Sequence, residues 1–132
     1  MITFGQPNVS KMSPNSELAI GKYLHDHHIK AMMIQESGNW DLTNQPYNGY
    51  RVFTNDISRN PSKLLGVSLV LDQSLKPEQI QDLNNPEFDA AWCQIILDNK
   101  RILLGSIYCR PSEGDMNDFK KLLDYISQAR NY

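Results

Sequence analysis

Two strand-like runs constrain this chain most, Ala90 to Leu97 and Arg101 to Tyr108, with only Asp98-Asn99-Lys100 between them. Apolar residues fill both runs, and Asx residues tolerate the backbone that a tight reversal requires. The pair therefore predicts an antiparallel hairpin. The rest of the chain must supply layers that cover it.

Upstream, Ile2 and Phe4 alternate in residues 1–6 and read as a short strand. Ser13-Pro14-Asn15-Ser16 reads as a turn into a helix, with Ser16 as its N-cap and Glu17 in the first turn. Leu18, Ile20, Tyr23, Leu24 and His27 give that helix an irregular apolar face to about residue 28, despite Gly21. The run Ala31-Met32-Met33-Ile34 predicts a strand buried on both faces. Residues 37–49 are rich in Asn, Gly, Gln and Pro and read as a loop. Strands are expected at Tyr50-Arg51-Val52-Phe53 and from Leu64 to Leu71, with one helical turn near residues 77–83. At the end, Phe119, Leu122, Leu123 and Ile126 recur at i, i+3, i+4 and i+7, so a helix should bury that stripe. Asp115 is its expected cap. Strand, helix, strand, several strands and a helix make an α/β layered domain, opening on a parallel strand pair.

Charge narrows the function classes. With 13 basic and 15 acidic residues there is neither a basic block nor a Lys/Arg stripe, which weighs against strong sequence-independent nucleic-acid binding. A metal-dependent nuclease is compatible with this balance, because the ion brings positive charge. No window approaches the roughly 18 apolar residues of a membrane span, and the N-terminus has no signal-peptide pattern. Cys93 and Cys109 both lie in apolar runs, which suits buried reduced thiols and an intracellular protein.

Few residues offer chemistry. Glu36 directly follows a buried strand, and ligands of open α/β sheets collect beyond the carboxyl ends of strands. A carboxylate there can hold a hard cation such as Mg²⁺, which takes one or two carboxylates and keeps several waters. Asn8 follows the first strand and reaches the same edge if the two strands run parallel. Taken alone, both residues are better described as polar caps of loops. His25-Asp26-His27-His28 resembles a metal cluster, yet its side chains diverge on a helix and no second ligand group completes a tetrahedral site. A helix end with favourable dipole contacts explains these histidines better.

Asn8-Val9, Ile34-Gln35-Glu36-Ser37 and Ser106-Ile107-Tyr108-Cys109-Arg110-Pro111-Ser112, in that order and spacing, resemble the first half of the endonuclease/exonuclease/phosphatase superfamily. The likeness is nearest to the endonuclease domains of non-LTR retrotransposons. Gly66-Val67-Ser68-Leu69-Val70 resembles the family's intervening strand, and Phe88-Asp89 with Trp92 the start of its later hairpin. The resemblance implies one domain over residues 1–132, forming half of a four-layer α/β sandwich, a mixed sheet with helices on one face. It implies Glu36 as ligand of Mg²⁺ or Mn²⁺ and Asn8 beside the phosphate or the metal-bound water. It places the Tyr108 hydroxyl near the scissile phosphate and Arg110 as a planar phosphate donor. DNA is the implied substrate, and a nuclear location follows if the chain derives from a retroelement.

The family's Gly-Asp-Phe-Asn and Ser-Asp-His elements do not occur in these 132 residues. The expected reading is therefore a fragment of a metal-dependent phosphodiester-cleaving domain, inactive alone, or else a non-catalytic binding or assembly module on the same half-fold. One sheet with its inner face open would expose more apolar surface than soluble monomers carry. That predicts a homodimer, or a complementing C-terminal half, docked on the face containing some of Met32, Ile34, Val67, Leu69, Ile95 and Ile107.

Overall fold

The computed structural model describes residues 4–5, 14–38, 49–108 and 116–132. The elements are β1 (Phe4–Gly5), α1 (Pro14–Asp26), β2 (Ala31–Gln35), β3 (Tyr50–Thr54), β4 (Val67–Asp72), β5 (Glu78–Gln79), β6 (Asp89–Leu97), β7 (Lys100–Tyr108) and α2 (Met116–Arg130). Short 3-10 turns occupy Ile57–Arg59 and Gln73–Leu75.

The hairpin closes more tightly than its sequence spacing suggests. Leu97 pairs with Lys100, so Asp98 and Asn99 alone make the turn. Both carry positive φ, 51° and 61°, the backbone of a two-residue turn that matches the twist of its strands. β6, β7 and the short β5 form an antiparallel sheet in the order β5-β6-β7. The other sheet has the order β1-β2-β4-β3 and is mixed. Here β1 runs parallel to β2 across α1, while β4 is antiparallel to both β2 and β3.

Period-two alternation assigns the faces. In the mixed sheet, Met32, Ile34, Val52 and Val70 point to one side and pack with Ile20 and Leu24 of α1. Ala31, Phe53, Val67, Leu69 and Leu71 point to the other side, where they meet Ala91, Cys93 and Ile95 of β6 and Leu104 of β7. The outer face of the second sheet carries Ala90, Trp92, Leu103 and Ile107, packed with Tyr125 and Ala129 of α2. The layers are thus helix, mixed sheet, antiparallel sheet, helix. The expected mixed sheet with a helix on one face is present, and the second sheet covers its other face.

That second sheet overturns one expectation. The inner face is not open, because β6 and β7 of the same chain bury it. Val67, Leu69 and Ile95 do line the interior, but Met32 and Ile34 lie under α1 and Ile107 under α2. The case for a homodimer or a complementing half docked on an uncovered sheet face therefore lapses.

Smaller expectations shift as well. Helix α1 begins at Pro14, so Ser16 lies in its first turn rather than at the cap. Proline is favoured at the first helical position, where its missing N–H costs nothing. The helical turn expected near residues 77–83 lies at Gln73–Leu75, capped by the Asp72 carboxylate, which accepts from the Ser74 amide. Glu78 and Gln79 instead pair with β6. In α2 the expected apolar stripe faces outward except at Leu122, which is half-buried. Phe119, Leu123 and Ile126 are 56%, 48% and 45% exposed, whereas Tyr125 and Ala129 are buried. Tyr125 wins the core because its hydroxyl has partners there. It accepts from Trp92 Nε1 at 2.6 Å and donates to the Leu83 carbonyl. The Trp92 indole in turn lies over Gly105, its cross-strand partner, where a Cβ would fall 2.2 Å from the ring. Asp115, the expected cap, lies outside the described residues.

Candidate functional site

Glu36 is the first residue beyond β2, and its backbone turns into the left-handed region at φ 56°. For a residue with a Cβ this costs about 1 kcal/mol or more, so the surroundings must hold it. The following residues show how. The Ser37 amide donates to the Gly66 carbonyl at 3.0 Å and the Gly38 amide to the Leu65 carbonyl at 2.9 Å. The buried Ser37 hydroxyl shares a hydrogen bond of 2.8 Å with that of Ser68, which shares another of 2.9 Å with Thr54. Residues 36–38 are therefore fastened to the entry of β4 by backbone and side chain together.

Gly66 makes this approach possible. It has φ 93°, and a Cβ there would lie 2.6 Å from the Gly38 carbonyl oxygen. Only glycine offers both that backbone and that clearance.

Tyr108 arrives from the other sheet, as the last residue of β7. Its hydroxyl donates to Glu36 Oε1 at 2.7 Å, a short, charge-assisted bond across the seam between the two sheets. The two residues are 72 positions apart in sequence, and both are partly buried. The fold thus brings together two of the four expected site residues. β1 and β2 run parallel, as the expected convergence of Asn8 and Glu36 requires, but Asn8 and Arg110 lie outside the described residues. Cys109 does too.

Behind the pair lies a polar network that sequence reading did not single out as part of the site. Asp89 opens β6 on its inner face and is only 4% exposed. Its carboxylate accepts from the amides of Leu65 at 2.8 Å and Gly66 at 3.0 Å, and from Asn55 Nδ2 at 3.0 Å. Asn55 also accepts from the Val67 amide at 2.7 Å. The available signal was periodicity: Asp89 shares a face with Ala91, Cys93 and Ile95, so alternation places a charge in the core.

The histidines stand apart from this site. His25 lies in the last turn of α1, His28 has φ 55°, and all three are exposed. The His27 ring rests against Tyr23 with centroids 4.2 Å apart. Among the described residues, no group of three His, Cys, Asp or Glu side chains could enclose an ion. No described helix is long and apolar enough to cross a membrane.

No family model matches the chain, and no curated protein matches it. Among solved structures, the endonuclease domain of TRAS1, a telomere-specific non-LTR retrotransposon, matches with a TM-score of 0.64 at 21% identity. The match covers 93% of this chain and 51% of that one, so the chain spans about half the length of the domain it resembles. At this identity the likeness establishes architecture. The chain has the fold of a non-LTR retrotransposon endonuclease domain over about half of that domain's length.

Proposed function

We propose that the chain is part of a metal-dependent, DNA-cleaving endonuclease domain of retroelement origin, working in the nucleus. The observation that carries this reading is the 2.7 Å contact between Tyr108 and Glu36, the two described residues that the family resemblance assigns to one site.

The donor set suits one class of ion. A lone carboxylate at a strand end does not make a closed zinc cage, which takes four protein ligands. It does suit Mg²⁺ or Mn²⁺, which take a carboxylate or two and complete their shell with water and substrate phosphate. When bound, such an ion supplies an acidified water and neutralises charge on phosphate oxygens. The protein's own part is positional. Glu36 holds the ion, and the Tyr108 hydroxyl fixes the rotamer of that carboxylate through Oε1. Asn8 offers an amide to a phosphate oxygen, and Arg110 offers a planar pair of donors.

Hydrolysis also needs a group that positions or deprotonates the water. In the family the Gly-Asp-Phe-Asn and Ser-Asp-His elements fill that role, and neither occurs in these 132 residues. We therefore infer that the 132 residues alone do not nick DNA.

Two measurements test this. Titration with Mn²⁺, followed by electron paramagnetic resonance, should show one weak site that Glu36→Gln abolishes. Equal binding in Glu36→Gln would remove Glu36 as ligand. Supercoiled plasmid should stay intact with Mg²⁺ and the chain alone, and nicking that disappears in Glu36→Ala would refute the inferred inactivity.

A further inference from the structure

We propose that Asp89 is the positioning residue of the Glu36–Tyr108 pair, locking the turn behind Glu36 and the end of β7 into one register. The inference concerns the geometry of the pair, and it rests on the endonuclease reading only for what the pair does.

Asp89 is the residue that reaches both halves of the site. Through its carboxylate it holds the amides of Leu65 and Gly66. The carbonyls of those same two residues receive the amides of Gly38 and Ser37. Because Gly66 already lies against Gly38 with no room for a Cβ, a shift of one segment must move the other. Glu36 precedes this unit directly and inherits its position. Through its backbone, Asp89 is the cross-strand partner of Tyr108 in the hairpin. One residue therefore sets the relative placement of the carboxylate and the phenol, which come from different sheets.

Its burial points the same way. A carboxylate that is 4% exposed is expensive to desolvate, and this one accepts from two backbone amides and the Asn55 amide. An apolar residue at this position of an otherwise apolar face would avoid that cost. What it could not do is accept from two successive backbone amides and so fix the 65–66 turn.

The test uses the whole chain with 3-fluorotyrosine at position 108, read by fluorine NMR. Glu36→Gln defines how the Tyr108 signal moves when its acceptor changes. Asp89→Asn keeps the shape but turns an amide donor toward the backbone amides. It should move the Tyr108 signal in the same direction and should weaken Mn²⁺ binding. Leu24→Ala, which destabilises the separate cluster beneath α1, should leave the signal in place. If Asp89→Asn does not fold, Asp89→Glu keeps the charge and displaces it by one methylene, and it should move the signal too. An unmoved Tyr108 signal in a folded Asp89 variant would overturn the proposal. Should the wild type bind no Mn²⁺, the endonuclease reading fails, while the fluorine signal still decides the role of Asp89.

Discussion

At the scale of single residues, the site depends on one carboxylate held in an unfavourable backbone conformation and one hydroxyl that meets it. Gly66 is the point where this arrangement is most exposed to substitution. Gly66→Ala adds a Cβ at φ 93°, 2.6 Å from a backbone oxygen that cannot swing away. The backbone strain alone costs about 1–3 kcal/mol, so urea unfolding should show a loss of at least about 2 kcal/mol. The same variant should lose the Tyr108–Glu36 contact. The sequence made Glu36 and Tyr108 legible, because each ends an apolar strand run and each sits in a recognisable motif. It did not show that they touch, since 72 positions and two different sheets separate them. Asp89 was harder to find. A lone acidic residue at a strand start reads as a solvent-facing end, until the partner sheet shows which face is inside.

At the scale of elements, regular alternation was legible and competition between helix faces was not. The hairpin, β2, β3 and β4 all follow from short apolar runs, with boundaries shifted by one to three residues at most ends. Helix α2 was placed correctly and rotated wrongly. Its longest apolar side chains form the better stripe, yet Tyr125 and Ala129 face the sheet. The hydrogen bonds of the Tyr125 hydroxyl to Trp92 and Leu83 decide the matter, and hydrophobic periodicity contains no term for them. Burial accordingly pushes the Tyr125 phenol above its ordinary range, with the Trp92 hydrogen bond opposing in part. Two substitutions separate the faces. Tyr125→Phe strands a buried indole N–H and a buried carbonyl, and should destabilise by about 1–3 kcal/mol. Leu123→Ser, on the exposed stripe, should change stability by no more than about 0.5 kcal/mol. Chemical denaturation of both variants checks the rotation of α2 directly.

At the scale of the whole molecule, the decisive feature is the interior between the sheets, which the sequence alone left uncovered. The run at residues 31–34 reads as buried on both faces, and Ala31, Met32 and Ile34 are buried, with Met33 half-buried. What covered the second face was not visible, because β6 and β7 also read as strands of the same sheet. Cys93 lies in this interior and is fully buried, and burial raises its thiol from an ordinary 9.0 to about 12. A group whose pKa is raised by folding stabilises the native state below its unfolded pKa. In the unfolded chain the thiol ionises from about pH 9, so this contribution is whole below that pH and is lost as pH climbs towards 12. A single such group gives a slope approaching about 1.4 kcal/mol per pH unit inside the window. Tyr50 and Tyr125, also raised chiefly by burial, add to the loss above pH 10. Stability measured by urea unfolding should therefore fall from pH 9 upward, and Cys93→Ala should fall less steeply between pH 9 and 10. Parallel slopes for the two proteins would place the Cys93 thiol in contact with water, and the packing of the two sheets onto each other would fail with it.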